Sequence, residues 1–375
     1  MYIIRQTAVL LAALTLLSGC SAPTENQLPS VSGSSQSSVE IPQSQESTDR
    51  RPGTSETTLP TPDDFPEAYN YGSGALTGWF GEAAHRHLPV PEENITVLNA
   101  APDTSKIQVL YLWEEGNVPA QTEFTEDMTG YFDTYDFRPY VTAIPVPEGT
   151  PVKGAVVLLA GGAFQFRGDY TDSLPTAAHL RELGFQTFIV DYRLRPYTQE
   201  EGALDVARAV RFIRKNADAY GTDPDDIAVM GYSAGGIQAG EFLLHFDEDV
   251  NGTALDPDYV PDELDQLPAH ASAGGMIYSF YGRLSVASMD IEELKAGELP
   301  PTFYCYGTED PFYNQFEAQY DLMVQDVGIP TSRIVLQDWP HGFGGDGGWV
   351  EDYAQWLETI FSGQDGTANG TAAIS

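Results

Sequence analysis

The chain has 375 residues, with 55 acidic against 18 basic side chains, a formal net charge of −37 and a pI near 4.1. A field of that sign disfavours nucleic acid, anionic membrane surfaces and strongly anionic substrates, and leaves neutral glycans and small neutral esters compatible. It suits the solubility of an exported protein and equally a salty habitat.

In chain order, Arg5 is followed by the apolar run from Ala8 to Leu17 and then by Leu17-Ser18-Gly19-Cys20. A short apolar stretch with small residues before a cut site predicts a signal peptide over residues 1–19, too short to span a bilayer. Its end resembles the lipobox of bacterial lipoproteins. That resemblance implies that Cys20 becomes the lipidated first residue and that the protein is extracytoplasmic, lipid-anchored to the bacterial cell membrane, with multiple acyl chains needed for stable attachment. A plain secretory signal is the alternative. Residues 20–62 are rich in Ser, Thr, Pro, Gln and Glu, and cannot bury enough apolar surface to offset their ordering entropy. They predict a disordered linker holding the rest of the chain away from the membrane. Residues 63–361 are long enough for one α/β domain with a full core, and 362–375 read as a disordered tail.

With Cys20 carrying lipid, Cys305 has no partner, and in a buried strand it behaves as a small hydrophobe. No metal is expected. His85 and His87 have no third ligand nearby and predict an exposed loop. The acidic stretch from Asp247 to Asp265 lacks the spacing of a calcium loop and predicts a solvated surface connection. The sequons at Asn94, Asn251 and Asn369 are expected chance matches if the source is bacterial.

Segments around Val109–Trp113 and Tyr140–Ile144 read as antiparallel strands opening a sheet. Short apolar runs at Val156–Leu159, Thr187–Val190, Ile227–Met230, Met276–Tyr278, Phe303–Tyr306 and Ile334–Leu336 predict strands buried on both faces. Helical patterns separate them: Thr171–Leu183, Leu204–Asn216, Ile237–His245 and Phe316–Val327, with a last helix after Trp349. In Leu204–Asn216, Leu204, Ala207, Val210 and Ile213 share one face, with Arg208, Arg211 and Lys215 elsewhere. Strand–helix alternation of this kind predicts a mostly parallel, doubly wound sheet.

The third of these runs leads into Gly231-Tyr232-Ser233-Ala234-Gly235. Strand, G-x-S-x-G, helix is the context of a nucleophile elbow, in which glycines allow the sharp turn and leave the serine hydroxyl exposed at a helix N-terminus. A serine needs a base oriented by an acid. His341 follows the strand Ile334–Leu336, and Asp310 follows Phe303–Tyr306, each where a strand hands over to a loop. The order Ser233, Asp310, His341 is that of the α/β-hydrolase triad. Glu309 competes for the acid role, and Pro311 beside the turn favours Asp310. An oxyanion needs donors as well. These are expected from the backbone N–H of Ala234 and from Gly162 and Ala163 in the loop after Val156–Leu159.

The chain resembles the α/β-hydrolases, and is similar to the hormone-sensitive-lipase-like and acetyl-xylan-esterase-like carboxylesterases. The residues that carry this are Leu159-Ala160-Gly161-Gly162-Ala163-Phe164, Asp191-Tyr192-Arg193-Leu194, Gly231-Tyr232-Ser233-Ala234-Gly235-Gly236, Gly307-Thr308-Glu309-Asp310 and His341-Gly342-Phe343, within roughly Leu110–Phe361. The resemblance implies an α/β-hydrolase fold with a sheet of the eight-stranded type and no cofactor. It implies a serine esterase acting on short-chain esters, among them acetyl groups on plant polysaccharides or their oligomers. One departure stands out. The oxyanion loop of such enzymes usually begins with a histidine that buttresses it, and here that position is Ala160. Roughly twenty residues separate Tyr281 from Pro301, too few for a helical lid domain, which implies an open site for a small acyl group on a large solvated molecule. Phe164, Phe166, Tyr232 and Phe312 flank the motifs as candidates to line the pocket, although packing is the simpler role for each. A serine peptidase of the same fold is the first alternative, although such peptidases carry a propeller-type domain with no counterpart among these residues. A non-catalytic surface lipoprotein is the second, against which the intact triad argues.

Overall fold

The structure, a computed structural model, describes residues 88–125, 133–363 and 373–374. The signal segment, Cys20, the linker, the first part of the 63–361 domain, His85, His87, Asn369 and most of the 362–375 tail lie outside the described residues. Among the described residues no helix is long and apolar enough to cross a membrane.

Eight strands follow in chain order: β1 (Gln108–Tyr111), β2 (Tyr140–Ile144), β3 (Gly154–Leu159), β4 (Phe185–Asp191), β5 (Ile227–Tyr232), β6 (Ala273–Ile277), β7 (Thr302–Gly307) and β8 (Thr331–Leu336). They lie side by side as β1-β2-β4-β3-β5-β6-β7-β8, with the two-residue β9 (Ala373–Ile374) parallel to β8. β2 runs antiparallel to both β1 and β4, and every other pairing in this sheet is parallel. This is the mostly parallel sheet of the α/β-hydrolase fold. Every residue of β3 to β7 is buried, as the continuous apolar runs require of strands covered on both faces. Among the described residues the helices longer than one turn are α1 (Ser173–Glu182), α2 (Gln199–Lys215), α3 (Ala234–His245), α4 (Ile291–Ala296), α5 (Tyr313–Leu322) and α6 (Trp349–Phe361). α1 packs beside α6, and α2 beside α3.

Several boundaries differ from the sequence pattern, among them the starts of α3 at Ala234 and of α5 at Tyr313 and the span of β6, and two of the differences have plain physical reasons. α2 begins at Gln199 rather than Leu204, because a capping box fixes its polar first turn. Thr198 accepts from the Glu201 backbone N–H at 3.2 Å, and the Glu201 carboxylate accepts from the Thr198 N–H at 2.7 Å. α5 ends at Leu322, and Met323–Val327 continues as a π turn closed by left-handed Gly328.

The acidic stretch before β6 is more than a solvated connection. Arg208 and Arg211 of α2 are fully buried. Arg208 makes a two-pronged pair with Asp262, 2.7 Å on one arm, and donates to the Leu112 carbonyl. Arg211 donates to the carbonyls of Leu267, Glu248 and Val250. The segment is wrapped over α2 by these cations, which stay buried while Asp262 is half-buried at the rim. At its edges Asp247, Glu248 and His270 bring one ligand atom each within 4.8 Å of one another, at half-buried and exposed positions. Between Tyr281 and Pro301 lie only a short hairpin (Gly282–Arg283 with Val286–Ala287) and α4, so no lid domain is inserted there.

Candidate active site

The parallel strands end at one edge, and three loops meet there. β5 delivers Ser233 with φ 49 and ψ −120, a conformation that costs a non-glycine residue about 1–3 kcal/mol and marks the sharp turn into α3. The turn is possible only because its flanking residues lack side chains. A Cβ on Gly231 would overlap the Gly235 carbonyl, and one on Gly235 would overlap the carbonyl oxygens of Leu159 and Ala160 at the end of β3. The turn is pinned by Ser233 N–H to the Ile277 carbonyl at 3.0 Å and by Ser279 Oγ–H to the Ser233 carbonyl at 2.7 Å. Ser233 is the N-cap of α3, yet its side chain makes no capping bond.

The hydroxyl is turned to His341 instead. Ser233 Oγ lies 2.8 Å from His341 Nε2, and His341 Nδ1 lies 2.6 Å from Asp310 Oδ2. Asp310 is buried at the end of β7, and its other oxygen accepts the Phe312 N–H at 2.8 Å. An ionised carboxylate accepts only, so its partner Nδ1 carries the hydrogen and Nε2 is left to accept from the serine. Glu309 is exposed, and its backbone N–H is engaged by the Trp339 carbonyl, while among the described residues no hydrogen bond engages its side chain. The acid that reaches the imidazole is therefore Asp310.

Ala160-Gly161-Gly162-Ala163-Phe164 runs beside the serine. A Cβ on Gly161 would stand 3.1 Å from Ser233 Cβ. Gly162 has φ 136, and Ala163 and Phe164 follow with φ 55 and 56, a succession of positive φ values that turns the amides of this loop away from sheet pairing. Among the described residues no hydrogen bond engages the N–H groups of Gly162, Ala163 or Ala234. The structure thus gathers Ser233, His341, Asp310, Gly162, Ala163 and Ala234 at one edge of the sheet.

Ala160 supplies no imidazole, and other groups hold the loop. The Tyr192 hydroxyl donates to the Ala160 carbonyl at 2.8 Å, and Asp172 Oδ2 accepts the Gly161 N–H at 2.9 Å. Tyr192 stands in Asp191-Tyr192-Arg193-Leu194, a run to which the sequence alone assigns no task. Its neighbours have tasks as well. Arg193 pairs with buried Asp205, and Arg167, from the loop after Phe166, makes a two-pronged pair with Asp133 at 3.1 and 2.7 Å and lies 3.9 Å from Asp191. Burial pushes the Asp191 carboxyl up to about 7 against the pull of Arg167. Burial raises Asp172 too, opposed by the bonds from Gly161 and Tyr278. Asp172 and Tyr278 escaped sequence reasoning because neither lies in a recognised motif.

Of the aromatic candidates, Tyr232 does not line the site. It is fully buried under the turn, its ring 5.8 Å from Tyr278 and 6.3 Å from Trp349. Phe164 is buried edge-on to Tyr192, while Phe312 is half-buried 5.8 Å from the His341 ring. Cys305 is buried mid-strand and burial pushes its thiol well up, which keeps it protonated and unreactive.

A family model described as BD-FAE matches residues 144–244, from the end of β2 through most of α3. Esterase LipQ of Mycobacterium tuberculosis is 26% identical over 224 residues, 52% of this chain and 52% of that protein. An acetylxylan esterase of Xylanibacter ruminicola is 30% identical over 231 residues, 57% of this chain and 47% of the relative. The chain spans about half the length of these curated relatives. Among solved structures, an acetyl ester-xyloside bifunctional hydrolase from Caldicellulosiruptor lactoaceticus has a TM-score of 0.48 at 21% identity, over 66% of this chain and 98% of that one.

Proposed function

We propose that the protein is a serine esterase that cleaves short-chain carboxylic esters through an acyl-enzyme. The observation that carries this reading is the unbroken path from Ser233 Oγ to His341 Nε2 and from Nδ1 to buried Asp310, at 2.8 and 2.6 Å, set at the N-terminus of α3. His341 takes the serine proton as Ser233 attacks the ester carbonyl. The unengaged amides of Ala234, Gly162 and Ala163 meet the negative charge that develops on the carbonyl oxygen, each such donor being worth about 10²–10³ in rate. His341 then protonates the departing alcohol. It next takes a proton from the water that attacks the acyl-enzyme, and returns it to Ser233 as the acid leaves. Asp310 keeps the imidazole in the productive tautomer. The names of the sequence relatives support the ester class.

For substrate we propose acetyl groups on plant polysaccharides or their oligomers. A relative named as an acetylxylan esterase supports this, as does the absence of an inserted lid after Tyr281. The test is acetate release from acetylated xylo-oligosaccharides, with 4-nitrophenyl acetate as reference and Ser233→Ala as blank. Release from both substrates by the wild type alone is expected. Turnover of the nitrophenyl ester without release from the oligosaccharides would confine the activity to small esters.

We propose further that Cys20 carries lipid and tethers the enzyme outside the cell, supported by Leu17-Ser18-Gly19-Cys20 and the polar residues after it. In cells fed labelled palmitate, the wild type should take up label and sediment with membranes, while Cys20→Ala should do neither. An unlabelled wild type in the soluble fraction would sink the tether.

A further inference from the structure

Asp172 immediately precedes α1, where an aspartate ordinarily turns its carboxylate onto the first amides of its own helix. Here it makes no such bond. The buried carboxylate faces the other way. Oδ2 accepts the Gly161 N–H at 2.9 Å, and Oδ1 accepts the Tyr278 hydroxyl at 2.8 Å and the Thr171 hydroxyl at 3.3 Å. The Tyr278 oxygen in turn accepts the Gly344 N–H at 3.3 Å. Gly161 begins the loop that carries the amides of Gly162 and Ala163, and Gly344 lies three residues beyond His341 in the loop that carries the imidazole. The ring of Tyr278 stands edge-on to His341 at 4.9 Å and to Phe343 at 4.7 Å. Tyr278 itself has φ 38, a conformation a bulky residue adopts only when its surroundings hold it there.

We propose that Asp172 is a positioning residue: one buried carboxylate ties the amide-bearing loop to the imidazole-bearing loop, with Tyr278 as the link to the second. This rests on the esterase reading above for its effect on rate, and on geometry alone for the tie itself. Such a tie fixes the distance between the group that moves the proton and the donors that meet the oxyanion. Misplacement by about 1 Å is enough to cost about 10²-fold in rate.

Two measurements on the full chain separate the tie from the activity. The first is kcat and KM on 4-nitrophenyl acetate for Asp172→Ala, Asp172→Asn and Tyr278→Phe. The second is hydrogen exchange over residues 160–168 and 341–348. Asp172→Ala is expected to lower kcat by about 10²-fold with KM within about threefold, as for a lost oxyanion donor, and to speed exchange in both loops. Asp172→Asn should regain part of kcat and restore protection over 160–168 more than over 341–348, since its Oδ1 still accepts from Gly161 while its NH₂ group faces the Tyr278 hydroxyl and takes away that hydroxyl's acceptor. Tyr278→Phe keeps the ring and should loosen only 341–348, with about a tenfold loss in kcat. The proposal is overturned if Asp172→Ala leaves kcat and both loops unchanged, or if protection falls equally across α1 and β4. Should Asp172→Ala not fold, wild-type kcat and wild-type exchange in Tyr278→Phe overturn it instead. A wild type without Ser233-dependent turnover sinks the esterase reading, while the exchange pattern still decides the tie.

Discussion

Replacing Ser233 by alanine is expected to lower kcat on 4-nitrophenyl acetate by about 10⁴–10⁶-fold while leaving the fold intact. The size reflects the groups that remain. His341 and the unengaged amides are still present in the variant, and such a site retains only the residual acceleration that binding and the oxyanion donors give. The fold should not change, because the Ser233 hydroxyl bonds to His341 and not to the helix it precedes. The structural bonds of this residue run through its backbone, to Ile277 and Ser279, and alanine keeps both. A thermal unfolding curve within a degree or two of wild type, alongside lost turnover and lost labelling by a fluorophosphonate, would place the effect in the chemistry. Retention of most of the activity would remove Ser233 as nucleophile, and with it the acyl-enzyme.

The sheet was legible in the sequence because its strands are buried on both faces, so that Val156–Leu159, Ile227–Met230 and Phe303–Tyr306 stand out as unbroken apolar runs. Ser233 was legible for a different reason. The turn admits no side chain at Gly231 or Gly235, and that steric demand writes itself into the residues as G-x-S-x-G. His341 and Asp310 were found by their places after strands and their order after Ser233, which is information about topology. The supports were not legible. Asp172 reaches 106 residues along the chain to Tyr278, and Tyr192 reaches 32 residues back to Ala160. Bonds of that span leave no local spacing to read. The start of α2 escaped for a related reason: its first turn is held by the Thr198–Glu201 polar exchange, which apolar periodicity does not register. The burial of Arg208 and Arg211 belongs with these, since a charged residue is buried only where distant partners meet it, here Asp262 and the carbonyls before β6.

Asp310→Asn should lower kcat by about 10⁴-fold, whereas Glu309→Gln should change it less than about twofold. The difference arises from the two oxygens of Asp310. One is committed to the Phe312 N–H at 2.8 Å, which can bond only to an acceptor. In the asparagine variant the amide oxygen must therefore remain there, and the NH₂ group takes the place of Oδ2, 2.6 Å from His341 Nδ1. That forces Nδ1 to accept, moves the ring hydrogen to Nε2 and points it at Ser233 Oγ, so the imidazole can no longer take the serine proton. The substitution conserves shape, and KM and unfolding temperature should stay near wild type, which distinguishes a tautomer defect from a packing defect. Glu309 offers no route to the same effect, because its side chain lies in solvent and its bond to Trp339 runs through the backbone. Steady-state kinetics on the two variants decide the matter. A loss of less than tenfold in Asp310→Asn, or a matching loss in Glu309→Gln, would show that the imidazole takes its orientation from some other group.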